Sequence, residues 1–192
     1  MTFSITKTPI IELPAGQLFY RIQLTKARKD SVKVNRMFLP PSGIKAGRFC
    51  LQKEVTAYLA DSAETALYEA VFRRELKISV ALSDLRSKSI VSFSIHKSLK
   101  LVDIRGFEEQ YPFLQSQRIQ FTQAFSEQCF AAGHDGILFA SAQHPRHECL
   151  CLFGSGAKKL QFVDSMPLVR PGTDLLLQSV VTAARRSAVE VV

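Results

Sequence analysis

A chain of 192 residues with a hydrophobic fraction of 46% has the size and composition of one globular domain with its own core. Its net charge of +8 suits an anionic partner: a phosphate-bearing small molecule, an acidic protein or nucleic acid. The basic residues are scattered through 26–29, 73–74, 158–159 and 185–186, with no recognition helix, zinc-finger spacing or aromatic-rich RNA motif, so direct nucleic-acid binding is not expected.

No apolar run approaches the ~18 residues that a membrane span needs. The first residues, MTFSITKTPIIELPAG, lack a basic segment followed by a long apolar one, so no secretory signal is expected. Four cysteines, at 50, 129, 149 and 151, form no disulfide-dense pattern, which points to a reduced, cytoplasmic protein.

Leu18–Gln23 alternates as a strand does, with Leu18, Tyr20 and Ile22 on one face and Phe19, Arg21 and Gln23 on the other. An arginine there lies on an exposed face or is held in a cleft by something anionic. The basic stretch 27–46 holds Pro40-Pro41-Ser42-Gly43 and reads as a loop, from which Gly47-Arg48-Phe49-Cys50 leads to the next strand.

Residues 55–60 alternate again and carry Tyr58. Asp61 is placed as the N-cap of a following helix, with Glu64 three residues later as in a capping box. Ala63, Ala66, Leu67, Ala70 and Val71 form the core-facing stripe. Glu69 lies roughly 130° from the centre of that stripe at ~100° per residue. Tyr68 and Phe72 share its side, so this face too is expected to be covered.

Strands are predicted at 76–82, 90–95 and 100–104, then a polar loop over 106–117. A helix over 118–132 would bury Phe121, Ala124, Phe125 and Cys129 and stop at Gly133. Gly136–Ser141, Glu148–Phe153 and Leu160–Val163 read as strands, and Thr173–Ser187 as a helix with Arg185 and Arg186 near its negative end. Strands outnumber helices and are not evenly interleaved with them. The fold class is therefore α+β, a single domain of mixed or antiparallel sheets with flanking helices.

Several candidate sites fail on spacing. His144-x-x-His147-x-Cys149-x-Cys151 is the most metal-like pattern, but it lacks the ligand pairs of zinc sites, and C-x-C in an apolar strand reads as two small core residues. Gly154-Ser155-Gly156 is followed by Lys158 and a strand rather than a helix, so it is not a phosphate loop. Ser141, His134 and Asp135 could be assembled into a triad, but no nucleophile elbow surrounds the serine. A scattered polar set remains: Arg21, Arg48, Tyr58, Glu69 and Ser141.

Four ordered segments give that set a context. YRI at 20–22, GRFC at 47–50, AYLADSAETALYE at 57–69 and GHDGILFASAQ at 133–143, with ECLCLF following, resemble the motifs of the RES-domain family over about 18–153. The family is named for an arginine, a glutamate and a serine, which stand here as Arg21, Glu69 and Ser141. Phe49 and Cys50 occupy positions where tryptophan and asparagine are common, and Gln143 stands in place of a frequent arginine.

The resemblance implies a single RES domain over 1–192 with a fold similar to ADP-ribosyltransferase toxins. It also implies a type II toxin with an Xre-like antitoxin, and so a hetero-oligomer. The implied activity is degradation of NAD+ by hydrolysis or phosphorolysis of the nicotinamide–ribose bond, without a metal. Transfer of ADP-ribose to a protein is the rival enzymatic reading, and a basic binding module the non-enzymatic one. In the enzyme readings Arg21 and Arg48 would bind the pyrophosphate, Tyr58 would stack on the nicotinamide, Glu69 would stabilise positive charge on the ribose, and Ser141 would hydrogen-bond the ligand.

Overall fold

The structure, a computed structural model, describes residues 6, 8–44, 47–73, 78–114 and 119–192. Its strands are β1 (Ile10–Leu13), β2 (Leu18–Leu24), β3 (Val32–Val34), β4 (Met37–Leu39), β5 (Thr56–Ala60), β6 (Ser79–Val80), β7 (Lys88–Ile95), β8 (Leu99–Asp103), β9 (Gly136–Ala140), β10 (Glu148–Phe153), β11 (Leu160–Pro167) and β12 (Glu190–Val191). Its helices are α1 (Ala63–Ala70), α2 (Leu82–Arg86), α3 (Ile119–Ala131), α4 (Gly154–Ala157) and α5 (Gln178–Ser187).

Eight strands form one mixed sheet in the order β1-β8-β9-β10-β5-β2-β7-β11. Its β8–β9 pair is parallel, and that connection runs through α3, as parallel neighbours require a crossover. The α+β expectation therefore holds, with a mixed sheet flanked by helices.

Period-two alternation assigns each strand's residues to two cores. In β10, Leu150 and Leu152 join Phe19, Met37, Leu59, Phe93 and Leu138 on one face, under the β3–β4 hairpin. Cys149, Cys151 and Phe153 join Phe49, Phe125, Ile137 and Phe139 on the other, under α3. A third cluster packs Leu67, Tyr68, Val71 and Phe72 against Val180 and Ala183 of α5. Tyr20 and Ile22 of β2 touch both the second and the third cluster, so α1 and α3 lie side by side on one face of the sheet.

The sheet splits between β2 and β5. Seven residue pairs join β2 to β7, whereas β2 meets β5 only at Tyr20–Ala60. Arg21 fills the split: its Nη1 donates to the Tyr58 carbonyl at 3.0 Å and its Nη2 to the Phe38 carbonyl at 3.3 Å.

Several local expectations are corrected. The stretch 27–46 is not all loop, because Val32–Val34 and Met37–Leu39 form a hairpin. Its two-residue turn, Asn35-Arg36, takes φ +47° and +67°, the left-handed pair such a turn needs. The Asn35 amide pins it by donating to the carbonyls of Ala157, Lys158 and Leu160.

Of the strand expected at 76–82, residues 76–77 lie outside the described residues; Ser79–Val80 is a strand and Leu82 begins a helix. The strand at 160 runs on to Pro167, with a bulge between Phe162 and Asp164. The C-terminal helix starts at Gln178 rather than Thr173, and Gly154–Ala157 is one helical turn. On α3, Phe121 and Ala124 are exposed while Thr122, Gln123 and Ser126 are buried. The polar face has a reason. Thr122 donates to the Arg48 carbonyl and Gln123 to the Gly47 carbonyl, so it holds the loop that delivers Arg48.

Gly136 stands where three strands meet. A Cβ there would lie 2.3 Å from the Cys151 carbonyl oxygen and 2.9 Å from the Leu152 Cα, both backbone atoms. Gly136→Ala must push β9 from β10 and should cost about 1–3 kcal/mol, lowering the melting temperature by roughly 2–12 °C for a domain of this size. A variant that melts with the wild-type chain would contradict this packing.

Candidate functional site

The site begins at the start of α1. Ser62, not Asp61, is the N-cap: its Oγ accepts from the Thr65 amide at 3.1 Å. Glu64 does not close a capping box; its Oε1 accepts from the Tyr68 hydroxyl and from Arg186. Asp61 is thereby released to face the loop after β9, where its Oδ2 accepts from the Glu148 amide at 3.1 Å and meets His147 Nδ1 at 2.9 Å. One turn of helix beyond Thr65 stands Glu69, half-buried.

Strand β9 brings Ser141 to it. The Ser141 hydroxyl is buried and donates to Glu69 Oε1 at 2.5 Å, the length of a charge-assisted bond. The chain then turns so that the His144 amide donates back to Ser141 Oγ at 3.0 Å. The Gln143 amide reaches Ser141 Oγ at 3.3 Å and Glu69 Oε1 at 3.4 Å. The serine is thus both donor and acceptor, and its direction is fixed.

Beneath the pair lies Cys149. Burial pushes its thiol well above the ordinary cysteine value, and the Glu69 and Asp61 carboxylates push the same way. Arg48 and a hydrogen bond with Ser141 act against them. Glu69, Ser141 and Arg48 thus all lie within electrostatic reach of one buried side chain.

Arg48 enters from the loop held by α3. Its Nη1 donates to the Leu114 carbonyl at 2.8 Å. Its guanidinium carbon lies 5.1 Å from the Phe139 ring centre and 5.5 Å from that of Phe49, within cation–π range. Tyr58 supports the same loop. Its hydroxyl accepts from the Phe49 amide at 2.8 Å, its ring stands edge-on to Phe139, and burial raises its pKa well above the ordinary phenol value. A Cβ on Gly47 would lie 2.6 Å from the Tyr58 hydroxyl oxygen, so the loop needs glycine there.

Arg21 stands apart from the pair. Its hydrogen bonds go to Tyr58 and Phe38, none of them to Glu69 or Ser141, and its Nε is sealed without a partner among the described residues. Desolvation lowers its pKa to about 10, which leaves it a cation at neutral pH.

The alternative sites do not assemble. Asp135 immediately precedes β9 and accepts from Lys159 and from the Lys100 amide, a strand's length from Ser141, so the triad with His134 is not formed. Cys149 and Cys151 are core residues, and no group of three or more His, Cys, Asp or Glu among the described residues is placed to hold a metal ion. His144 and His147 instead stack ring on ring at 3.7 Å. Their contacts with Thr65 and Asp61 were not visible in the sequence, where His-x-x-His suggested only a ligand spacing. The sequence signal of Phe139, which lies under Arg48, is its place two residues before Ser141.

No helix among the described residues is long and apolar enough to cross a membrane. No curated protein matches the chain. Among solved structures, it resembles a chain in the crystal structure of the M. tuberculosis MbcT–MbcA toxin–antitoxin complex. The TM-score is 0.65 and the identity 16%, over 96% of this chain and 94% of that one. At that identity the likeness is one of fold. The RES domain matches residues 18–171, which include the arginine of the split sheet and the glutamate and serine that meet above Cys149. The chain belongs to the RES domain family.

Proposed function

We propose that this chain is the toxin of a toxin–antitoxin pair and that it degrades NAD+ by cleaving the nicotinamide–ribose bond. The observation that carries the reading is the 2.5 Å bond between Ser141 and Glu69 in a RES domain. NAD+ presents what such a site can use: a pyrophosphate, a flat cationic ring and a glycosidic bond with a good leaving group.

In the reaction, the electron pair of the C1′–N bond leaves with nicotinamide and neutralises its ring. Positive charge grows on the ribose, and the Glu69 carboxylate stabilises it. Ser141 holds that carboxylate in one direction, so no reorganisation is needed as the charge develops. Water or phosphate then bonds to C1′. With water, the released proton goes to solvent and the product is ADP-ribose; with phosphate, it is the 1′-phosphate. Ser141 is not the nucleophile, because its proton is directed at a carboxylate that serves the ribose.

Arg48 supplies a guanidinium for the pyrophosphate. Arg21 adds a second positive charge from the split in the sheet, and Tyr58 offers a ring to the nicotinamide. The partner is an Xre-like antitoxin that covers the site in the cytoplasm, and the net charge of +8 favours an acidic contact surface on it. MbcT is itself found with an antitoxin, which supports a partner of that kind here.

NAD+ turnover and a melting curve on the same preparation test the central assignment. The wild-type chain should release nicotinamide from NAD+ with no other protein present. Glu69→Gln keeps size and hydrogen bonding but removes the charge, and kcat should fall about 10²-fold or more with little change in melting. A Glu69→Gln variant that turns over like wild type would remove the residue from the chemistry.

Arg48→Ala should weaken NAD+ binding by roughly one to two decades, the size of a charge-assisted bond. Arg21→Ala should lower both affinity and melting, because the Tyr58 and Phe38 carbonyls lose their donors. Unchanged affinity in both variants would place the pyrophosphate elsewhere.

A further inference from the structure

Two histidines that no catalytic step above uses are built into the pair's support. His144 Nδ1 meets the Thr65 hydroxyl at 2.8 Å, and that hydroxyl lies 2.7 Å from Ser62 Oγ, the cap of α1. His147 Nδ1 meets Asp61 Oδ2 at 2.9 Å. The two rings are nearly parallel, 9° apart with centres 3.7 Å apart, and His144 stands edge-on to Tyr68 at 4.8 Å. The segment between them is drawn tight: the His147 amide donates to the His144 carbonyl, and Arg146 takes φ +68°. A left-handed arginine costs about 1 kcal/mol, so the turn is held by what its ends bind.

Those ends bind on both sides of one joint. The imidazoles grip residues 61 and 65, at the start of the helix that carries Glu69. The amide of His144 and that of Gln143 grip Ser141 at the end of β9. The loop therefore sets the helix against the strand, and the 2.5 Å contact between Glu69 and Ser141 depends on that setting.

We propose that His144 and His147 are positioning residues of the Glu69–Ser141 pair, a stacked clasp that loosens when acid places a proton on His144. This rests on the NAD+-cleaving reading for its kinetic consequence, but not for its structural one. A protonated His144 would set its charge against the His147 ring at 3.7 Å, and with both ring nitrogens protonated it could only donate to Thr65. The groups around it are few. Burial lowers its pKa most, and His147 and Arg186 lower it further, while Glu64 and Asp61 act the other way. The sign follows. A histidine whose folded value is depressed contributes its contact fully above the ordinary imidazole pKa, about 6.5, and loses it as pH falls through the lower folded value.

The test uses the whole chain and two variants. His144→Asn places an amide where Nδ1 was and cannot titrate; His144→Ala removes the contact. Three readouts are taken: kcat and KM for NAD+ against pH, a melting curve, and hydrogen-exchange protection of the Gln143 and His144 amides. His144→Ala should lose about ten- to a hundredfold in kcat, with KM within a few-fold and both amides deprotected. His144→Asn should keep most of kcat at neutral pH and its amide protection, and should retain activity at acid pH where wild type has lost it. The acid loss that remains in His144→Asn belongs to other groups.

Wild-type kcat in His144→Ala would overturn the proposal. So would an acid limb in His144→Asn that matches wild type, or an asparagine variant no better than alanine in kcat and protection. If wild type does not turn over NAD+, the functional reading fails, and the exchange data alone decide the clasp. Protection that survives His144→Ala then sinks it.

Discussion

The hydrogen bond from Ser141 to Glu69 joins parts of the chain 72 residues apart, and most of the structure around it holds its two ends still. One end is a helix only two turns long, of a length that is marginal alone in water. It is held by its Ser62 cap, by burial of Leu67, Tyr68, Val71 and Phe72, and by α5 behind it. The other end is the last turn out of a strand flanked on both sides by paired neighbours. A buried hydroxyl is costly unless it is hydrogen-bonded, and Ser141 meets that by donating to the Glu69 carboxylate; its direction is set from the other side. The amides of Gln143 and His144 fix it.

The second constraint is the split sheet. Strand β5 cannot lie against β2 along its length, because the two meet at one residue pair. The freed Tyr58 carbonyl finds the Arg21 guanidinium, a planar donor that also reaches the Phe38 carbonyl of β4. Opening the sheet leaves room on the α1 and α3 side for the Gly47–Phe49 loop. That loop is anchored by its own set of polar contacts from Thr122, Gln123 and Tyr58. Arg48 is thus carried by backbone that is tied at both faces, and its position over Phe139 is a consequence of the fold.

Much of this was legible in the sequence, and the remainder was hidden for definite reasons. Leu18–Gln23 is read from its alternation, whereas Glu148–Phe153 is read as a short apolar run bounded by polar stretches, as a strand buried on both faces is. The three-residue strands at Val32 and Met37 are too short for a period, and Asn35-Arg36 lacks the glycine that marks a tight turn. At α1, Asp61 and Ser62 are both good caps; the choice fell to Ser62 because Asp61 is claimed by His147 and Glu148, which lie far along the chain. On α3 a helical stripe of Phe121 and Ala124 looked like the buried side, but the loop at Gly47 needed donors more than the core needed another ring. The residues that make the pair, Glu69 and Ser141, could be named from their motifs, whereas their contact could be known only from the fold.

The central claim is that Glu69 and Ser141 act as one unit, and a double-mutant cycle on kcat tests it most directly. Groups that work as a unit lose far less in combination than their separate losses would multiply to. Ser141→Ala should lower kcat by about tenfold or more, by freeing the carboxylate it holds. The double variant with Glu69→Gln should then fall within a few-fold of Glu69→Gln alone. Losses that multiply, or a Ser141→Ala variant with wild-type kcat, would show that the hydrogen bond between them is not what places the charge.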